Sequence, residues 1–446
     1  MMHDRQHRRA RLALASLSAF ATLAGGSVAG AQAGSTIGRR VAAIANGELR
    51  MTYASRPDAC GDGRDVVGMG SSLNVYSSIE SYGRWSGVTC VHGPARVSVT
   101  VRDRQVVTIR PHIGGSWPAT SDAAIDLGHV PAAEAAAYFL SLAPQVGSNS
   151  RLNPLLAAAI ADSVNVVPDM LRLARSSSVP RETRRRALHW TGALGDASVV
   201  APLVEIARAD AEGSRDNPDD VGPGDKLQGA AVGALSMIRD GAGLPALMDL
   251  ARRGSASVRK AAVFWLGQRE ERESRALVRS LAGDEHESES LRGAAIFALG
   301  QGSAATADER AFLRGLFAKL SSQRLQDRIL MALAQGESAD DVRWMLAQAR
   351  DEELALEVRR KAVFWAGQGK VPIVDLVALY RHVREPRLRE HVIFVLSQRE
   401  EERAVQALFD IARSDDDHEM RKKALFWLAQ KDDPRVTKLI TDIIGR

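Results

Sequence analysis

Side chains that commonly catalyse reactions or bind metal ions are sparse in this sequence. Beyond the first ten residues, no two of its histidines are four positions apart, the spacing that would place two imidazoles on one helix face for a metal ion. No HExxH, G-x-S-x-G, phosphate-loop or dinucleotide-loop pattern occurs. Two acid-rich stretches, 58–65 (DACGDGRD) and 216–225 (DNPDDVGPGD), lack the spacing of a calcium loop. We therefore predict polar loops there, with no catalytic residue, metal ion or cofactor.

The N-terminus has the pattern of a secretory signal. Residues 1–11 (MMHDRQHRRAR) are basic, residues 12–25 form a short apolar run, and small residues follow at 29–33. This order predicts a signal peptide over 1–33, cleaved after Ala31 or Ala33, and hence a periplasmic or extracellular protein. An N-terminal membrane anchor is the alternative. No later stretch offers about 18 consecutive apolar residues, so we expect no membrane span.

The charge balance argues against a nucleic-acid partner. The whole chain carries +5, and residues 1–33 contribute four arginines and one aspartate, a net +3, so about +2 remains after cleavage. Acidic and basic residues are interspersed in the remainder, whereas a nucleic-acid footprint needs a clustered basic surface.

The two cysteines are Cys60 and Cys90. An even pair in an exported protein predicts a disulfide. A metal-binding pair is the alternative.

One helical pattern recurs along the C-terminal two thirds of the chain. It reads VRKAAVFWLGQ at 258–268, VRRKAVFWAGQ at 358–368 and MRKKALFWLAQ at 420–430, with looser copies between. The residue three before the final Gln defines an anchor column: Trp190, Ala234, Trp265, Ala298, Ala332, Trp365, Val395 and Trp427. Successive members are 30–34 residues apart, except for one interval of 44 that contains the polar insertion 209–226. A fixed period in this range predicts a solenoid, with the insertion in a surface loop.

Each period contains a short helix, often opening near proline, and then the recurring helix. This two-helix unit resembles the HEAT repeat, in particular its short phycobilisome-lyase-like bacterial subclass. The resemblance covers about 166–446, as eight units and a C-terminal half unit. It implies an α-solenoid, which we expect to follow a small β-rich domain (34–130) and a helical connector (131–165). The family's basic residue at the start of the second helix is replaced by Gln228 in unit 2 and Gln326 in unit 5, which weakens the expectation of an unbroken ladder between units.

A helical wheel assigns opposite faces to the recurring helix. At 100° per residue, Val258, Trp265 and Leu266 define the buried side. An aromatic lies opposite, and we call its recurrences the phenylalanine row: Phe264, Phe297, Phe364, Phe394 and Phe426. The resemblance implies that second helices line a concave surface, so this row would follow a groove with Lys260 and Lys422 at its rim. Packing between adjacent units is the alternative.

The last residue of the pattern forms a second row on the same side, the glutamine row: Gln268, Gln301, Gln368, Gln398 and Gln430. A glutamine at a helix end either hydrogen-bonds free carbonyl groups of the following turn or remains available to a ligand.

These patterns favour a non-catalytic, exported scaffold that binds a protein or peptide through both rows and the two rim lysines. An enzyme with an unrecognised site in the β-rich domain and a purely structural envelope component are the alternatives. The sequence identifies neither the partner nor the oligomeric state.

Overall fold

A computed structural model describes residues 35–64, 66–69, 74–77, 90–117, 124–146, 152–209, 226–301, 306–336, 338–369, 371–431, 433 and 435–437. The predicted signal peptide (1–33), the body of the insertion (210–225) and most of the C-terminal half unit (438–446) lie outside the described residues. The chain divides into two compact units, Met1–Val166 and Val167–Arg446.

The described part of the first unit contains two β-sheets in which most neighbouring strands are antiparallel. Its elements are α1 (Thr36–Ala42), β1 (Gly47–Tyr53), β2 (Ala59–Gly61), β3 (Val66–Met69), β4 (Asn74–Ser77), β5 (Ala95–Arg102), β6 (Gln105–Ile113), β7 (Ile125–His129), α2 (Ala132–Leu142) and α3 (Pro154–Ala159). The strand orders are β6-β5-β1-β7 and β2-β3-β4. Burial alternates along β5, as expected for a strand with one face in the core.

Helices of the segment 131–165 pack within this first unit. The Tyr53 hydroxyl on β1 donates a hydrogen bond to the Ala157 carbonyl at 2.6 Å. The same ring lies 6.4 Å from that of Phe139 on α2. Both aromatic rings are fully buried, so α2 and α3 complete the core that the sheet begins.

The predicted disulfide is present in the structure. Cys60 on β2 is bonded to Cys90, with their Cα atoms 5.4 Å apart, and this closes the segment between them into a covalent loop.

The described part of the second unit forms eight helix pairs. The first helices are α4 (Val167–Arg175), α6 (Val200–Arg208), α8 (Leu244–Arg253), α10 (Arg272–Gly283), α12 (Ala307–Phe317), α14 (Ala339–Arg350), α16 (Ile373–His382) and α18 (Glu402–Ser414). The second helices are α5 (Arg181–Leu194), α7 (Leu227–Met237), α9 (Ala256–Gly267), α11 (Glu289–Gly300), α13 (Gln323–Ala334), α15 (Leu356–Gln368), α17 (Pro386–Ser397) and α19 (His418–Leu428). The predicted repeat architecture is confirmed.

Neighbouring units touch chiefly through their second helices. Each second helix packs on the next one, whereas neighbouring first helices approach each other only sparsely. Neighbouring units therefore meet chiefly along the row of second helices.

Glycine makes the close approach of second helices possible. In four units, the residue two positions after the anchor residue is glycine. Each of these glycines lies against the anchor residue of the next unit, which is alanine or valine in these cases: Gly192 on Ala234, Gly267 on Ala298, Gly300 on Ala332 and Gly367 on Val395. Where the next anchor is tryptophan, the same position carries Ser236, Ala334 or Ser397 instead. In each pair of neighbouring units, the residue at this position is thus matched to the anchor residue that it faces.

The basic residue at the start of the second helix fastens the two helices of its own unit. The guanidinium Nε donates to a carbonyl near the end of the preceding first helix: Arg184 to Ala174, Arg259 to Ala251, Arg292 to Ala282 and Arg359 to Ala349. Gln326 donates likewise to the Leu320 carbonyl at 3.1 Å, and Gln228 to that of Ala209 at 3.2 Å. Glutamine therefore preserves the contact, because its amide is also a donor.

No described helix is both long and apolar enough to cross a membrane.

Candidate functional site

The second helices carry both predicted rows, and we call the surface formed by these two rows the second-helix face. Phe264, Phe297, Phe364 and Phe394 are half-buried. Phe426, on the last second helix, is 57% exposed. The second-helix face therefore presents a line of incompletely buried aromatic rings.

The phenylalanine row divides into two parts by its ring contacts. Toward the C-terminus it forms a seam across three units: the centroid of Phe364 lies 6.4 Å from His391, His391 5.7 Å from Phe394, and Phe394 5.4 Å from Trp427. Phe264 instead contacts Trp265 of its own helix. Among the described residues, neither Phe264 nor Phe297 has a ring contact with a neighbouring unit. In the described part of the chain, aromatic contacts between units are therefore confined to the C-terminal part of the row.

The anchor tryptophans are less buried than the wheel predicts. Trp190 is buried, but Trp265, Trp365 and Trp427 are only half-buried. These three project onto the preceding second helix: the ring of Trp265 lies against Gly233, and the Trp365 indole Nε1–H donates to Asp327 at 2.7 Å. They are therefore inter-unit contacts in addition to core residues.

The two rim lysines differ from each other. Lys422 is exposed and lies 3.0 Å from Glu419 of its own helix, as expected at a rim. Lys260 is only 3% exposed, so its predicted place at the rim is wrong.

The side chains of the glutamine row do not hydrogen-bond carbonyl groups at the helix ends anywhere in the described part of the chain. Gln268, Gln368, Gln398 and Gln430 are exposed, and Gln301 is half-buried. Gln301 Nε2 donates to Gln335 Oε1 of the next unit at 2.9 Å. Gln398 Nε2 donates to the Ser397 hydroxyl at 3.2 Å. These amides retain donor and acceptor capacity toward solvent or a ligand.

Histidines on the second-helix face are held neutral. Burial lowers the pKa of His391 to about 4, with a further contribution from the nearby charge of Arg360. Burial likewise lowers the pKa of His189, the unit 1 equivalent of the phenylalanine row, to about 4. Both imidazoles therefore extend the aromatic surface at neutral pH without adding charge.

Cations beside the seam are paired across units. Lys361 on α15 lies 3.6 Å from Asp327 on α13. Lys423 on α19 lies 2.6 Å from Glu390 on α17. These pairs link neighbouring second helices and balance the charge around the aromatic rings.

The acidic loops have structural roles where they are described. The Asp62 carboxylate accepts the Arg64 backbone N–H at 2.9 Å, and Asp58 pairs with Arg56 at 3.3 Å. Within the described ranges no group of three or more His, Cys, Asp or Glu side chains is arranged to hold a metal ion. Asp65 and the stretch 216–225 lie outside them.

Comparison with known proteins agrees with this architecture. Residues 244–334 match the family model described as HEAT repeats. The described part of the second unit has the fold of an α-solenoid of HEAT-like repeats. No curated protein sequence matches the chain.

Solved structures align only distantly with this chain. The phycocyanin lyase complex of CpcE and CpcF from Nostoc is 16% identical with a TM-score of 0.28, covering 55% of this chain and 93% of that one. The E. coli protein YibA is 16% identical with a TM-score of 0.32, covering 52% and 83%. Human deoxyhypusine hydroxylase is 15% identical with a TM-score of 0.24, covering 67% and 98%. Similarity at this level carries no functional assignment.

Proposed function

We propose that this protein is an exported, non-catalytic scaffold that binds a segment of a protein partner along its second-helix face. The proposal rests on one observation. Two consecutive units each present a half-buried phenylalanine and a glutamine on this face, Phe264 with Gln268 and Phe297 with Gln301. Apolar rings rimmed by polar groups are typical of protein-binding surfaces.

The chemistry of these side chains favours an extended peptide. Complete burial of a phenylalanine side chain stabilises by roughly 1.5–3 kcal/mol. Because each ring is already half-buried, covering its exposed part contributes a fraction of that free energy to binding. A glutamine amide offers a donor and an acceptor together, which matches the N–H and C=O groups of a peptide backbone. The hydrogen bond between Gln301 and Gln335 spans two units, so the row offers amides at more than one position along a bound chain.

Export is supported by two independent features. The basic and apolar segments within 1–33 have the order of a secretory signal. The disulfide between Cys60 and Cys90 suits an oxidising compartment.

Two paired variants separate binding from packing. Phe264→Ser with Phe297→Ser is expected to reduce the partner captured from a periplasmic extract at least tenfold, while the thermal unfolding midpoint changes little. Phe364→Ser with Phe394→Ser is expected to lower that midpoint by several degrees, because it removes ring pairs worth about 0.5–1.5 kcal/mol each. Quantitative mass spectrometry of the captured protein and thermal melts of both variants provide the measurements.

The proposal fails if the Phe264 and Phe297 variant unfolds several kcal/mol more easily, since the rings would then be packing residues. It also fails if that variant keeps its partner at the wild-type level.

A further inference from the structure

A histidine lies inside the aromatic seam that joins units 6, 7 and 8. The ring of His391 on α17 lies between that of Phe364 on α15 and that of Phe394 on its own helix, with centroid distances of 6.4 and 5.7 Å. Phe394 in turn contacts Trp427 on α19 at 5.4 Å. The imidazole is thus part of the contact between three consecutive second helices.

One ring nitrogen of His391 is enclosed in this seam. Its Nε2 atom is buried, and no described residue forms a hydrogen bond with it. A neutral imidazole carries one N–H group, whereas a protonated imidazole carries an N–H group on both nitrogens. Protonation of His391 therefore places a positive charge and an N–H group without an acceptor beside two phenylalanine rings. Burying an unpaired charge or an unsatisfied donor destabilises the folded state.

The helix α15 brings charges of both signs close to His391. Burial is the largest cause of the low pKa of His391, which lies at about 4; Arg360 and Lys361 lower this pKa further, and Glu357 raises it. Arg360 pairs with Glu357 at 3.0 Å, and Lys361 lies 3.6 Å from Asp327 on α13. Both cations are thus held by carboxylates, and the buried nitrogen remains without an acceptor.

The helix α19 contributes a cation that neutralises the remaining carboxylate. Glu390, the neighbour of His391 in the sequence, raises the pKa of the imidazole. Lys423 on α19 lies 2.6 Å from Glu390. Because the lysine balances this carboxylate, the pair gives an imidazolium ion little support.

The first helices α16 and α18 meet α17 on another side. Arg389 Nη2 donates to the Tyr380 hydroxyl of α16 at 3.0 Å and to Asp415, the residue that follows α18, at 2.6 Å. Arg389 precedes His391 by two residues, which places the two side chains about 160° apart around the helix. The charges of this cluster are therefore directed away from the imidazole.

We propose that His391 makes the junction between units 6 and 7 an acid-sensitive joint, in which protonation of the imidazole opens the packing of α15 against α17. The direction follows from proton linkage, because the native state binds this proton less tightly than the unfolded chain does. A histidine in the unfolded chain titrates near pH 6.5, as a rough reference value. The stability that the neutral imidazole contributes is therefore complete above this pH and is lost as the pH falls toward about 4. The joint needs no partner, so it is independent of the proposed function.

Hydrogen exchange of the full chain at about pH 7.5 and about pH 5 tests this proposal. The wild type is compared with His391→Phe, which keeps an aromatic ring that cannot be protonated, and with His391→Gln, which keeps a polar side chain that does not titrate. After correction for intrinsic exchange rates, acidification is expected to raise the opening equilibrium of α15 and α17 amides at least tenfold more in the wild type than in either variant. Amides of α9 and α11 are expected to show no such difference, because all three proteins share every other histidine.

A control and a direct titration complete the test. His382→Gln replaces an exposed histidine on α16 and is expected to behave as the wild type does. In an NMR titration of the native protein, the His391 ring, assigned by its absence from the His391→Gln spectrum, is expected to titrate with a midpoint below about pH 5. A midpoint near 6.5 or above, which attraction of an imidazolium ion to the phenylalanine rings would produce, would overturn the proposal. So would an equal effect of acid on α15 and α17 in the wild type and both variants.

Discussion

Glu309→Ala is expected to destabilise the protein by about 3–5 kcal/mol, the usual cost of removing one partner of a buried ion pair. Glu309 on α12 is 3% exposed and hydrogen-bonds Arg275 on α10, which is itself buried. Arg275 also donates to the Gly267 carbonyl at 2.8 Å. Removing the carboxylate leaves a guanidinium group buried between two units without its counter-charge, and urea unfolding would measure the loss.

Two controls isolate this pair. Glu309 also takes part in a capping box with Thr306. The loss of stability in Thr306→Ala therefore measures the contribution of the helix cap alone, which we expect to be about 1 kcal/mol. Asp340→Ala removes an exposed pair with Arg343, worth about 0–1 kcal/mol. A loss for Glu309→Ala no larger than that of either control would contradict a buried inter-unit pair.

Gly300→Ala is expected to destabilise by about 1–3 kcal/mol, the usual cost of overpacking, although alanine is intrinsically the better helix former by about 1 kcal/mol. A Cβ atom there would lie 2.5 Å from the Ala332 Cβ and 2.8 Å from its Cα. The neighbouring backbone would have to move, and the row of second helices would open at that junction. Thermal or urea unfolding measures the effect.

Gly315→Ala is the matched control, because nothing lies within 4 Å of the Cβ position at this helical glycine. It is expected to stabilise by up to about 1 kcal/mol. The close-packing account of the second helices requires opposite signs for the two substitutions, and the same sign for both would refute it.

The repeat and its helix pairs were predictable from sequence because they depend on local pattern. The copies ending at Gln268, Gln368 and Gln430 fix the period, and each period has room for two helices. The strands around Arg102–Gln105 were likewise predictable from the alternation of apolar residues. These features need no knowledge of which side chains meet between units.

The errors concern contacts between units. A wheel drawn on α9 alone places Lys260 in solvent and Trp265 in the core, whereas Lys260 is buried and the half-buried Trp265 ring lies against Gly233 of the preceding helix. Phe364 and Phe394 belong to a seam of rings between units, unlike Phe264 and Phe297, because His391 lies between their rings. Comparing the same column across adjacent units would have indicated both effects.

Site-specific photo-crosslinking in cells tests the proposed binding face most directly. A photoreactive phenylalanine analogue would replace Gln268 or Gln301 on second helices, and Ala276 or Ala347 at exposed positions of first helices as controls. We expect Gln268 and Gln301 variants to form adducts with the same protein partner, and the Ala276 and Ala347 variants to form none. Adducts formed equally from all four positions, or none from Gln268 and Gln301, would contradict partner binding on the second-helix face.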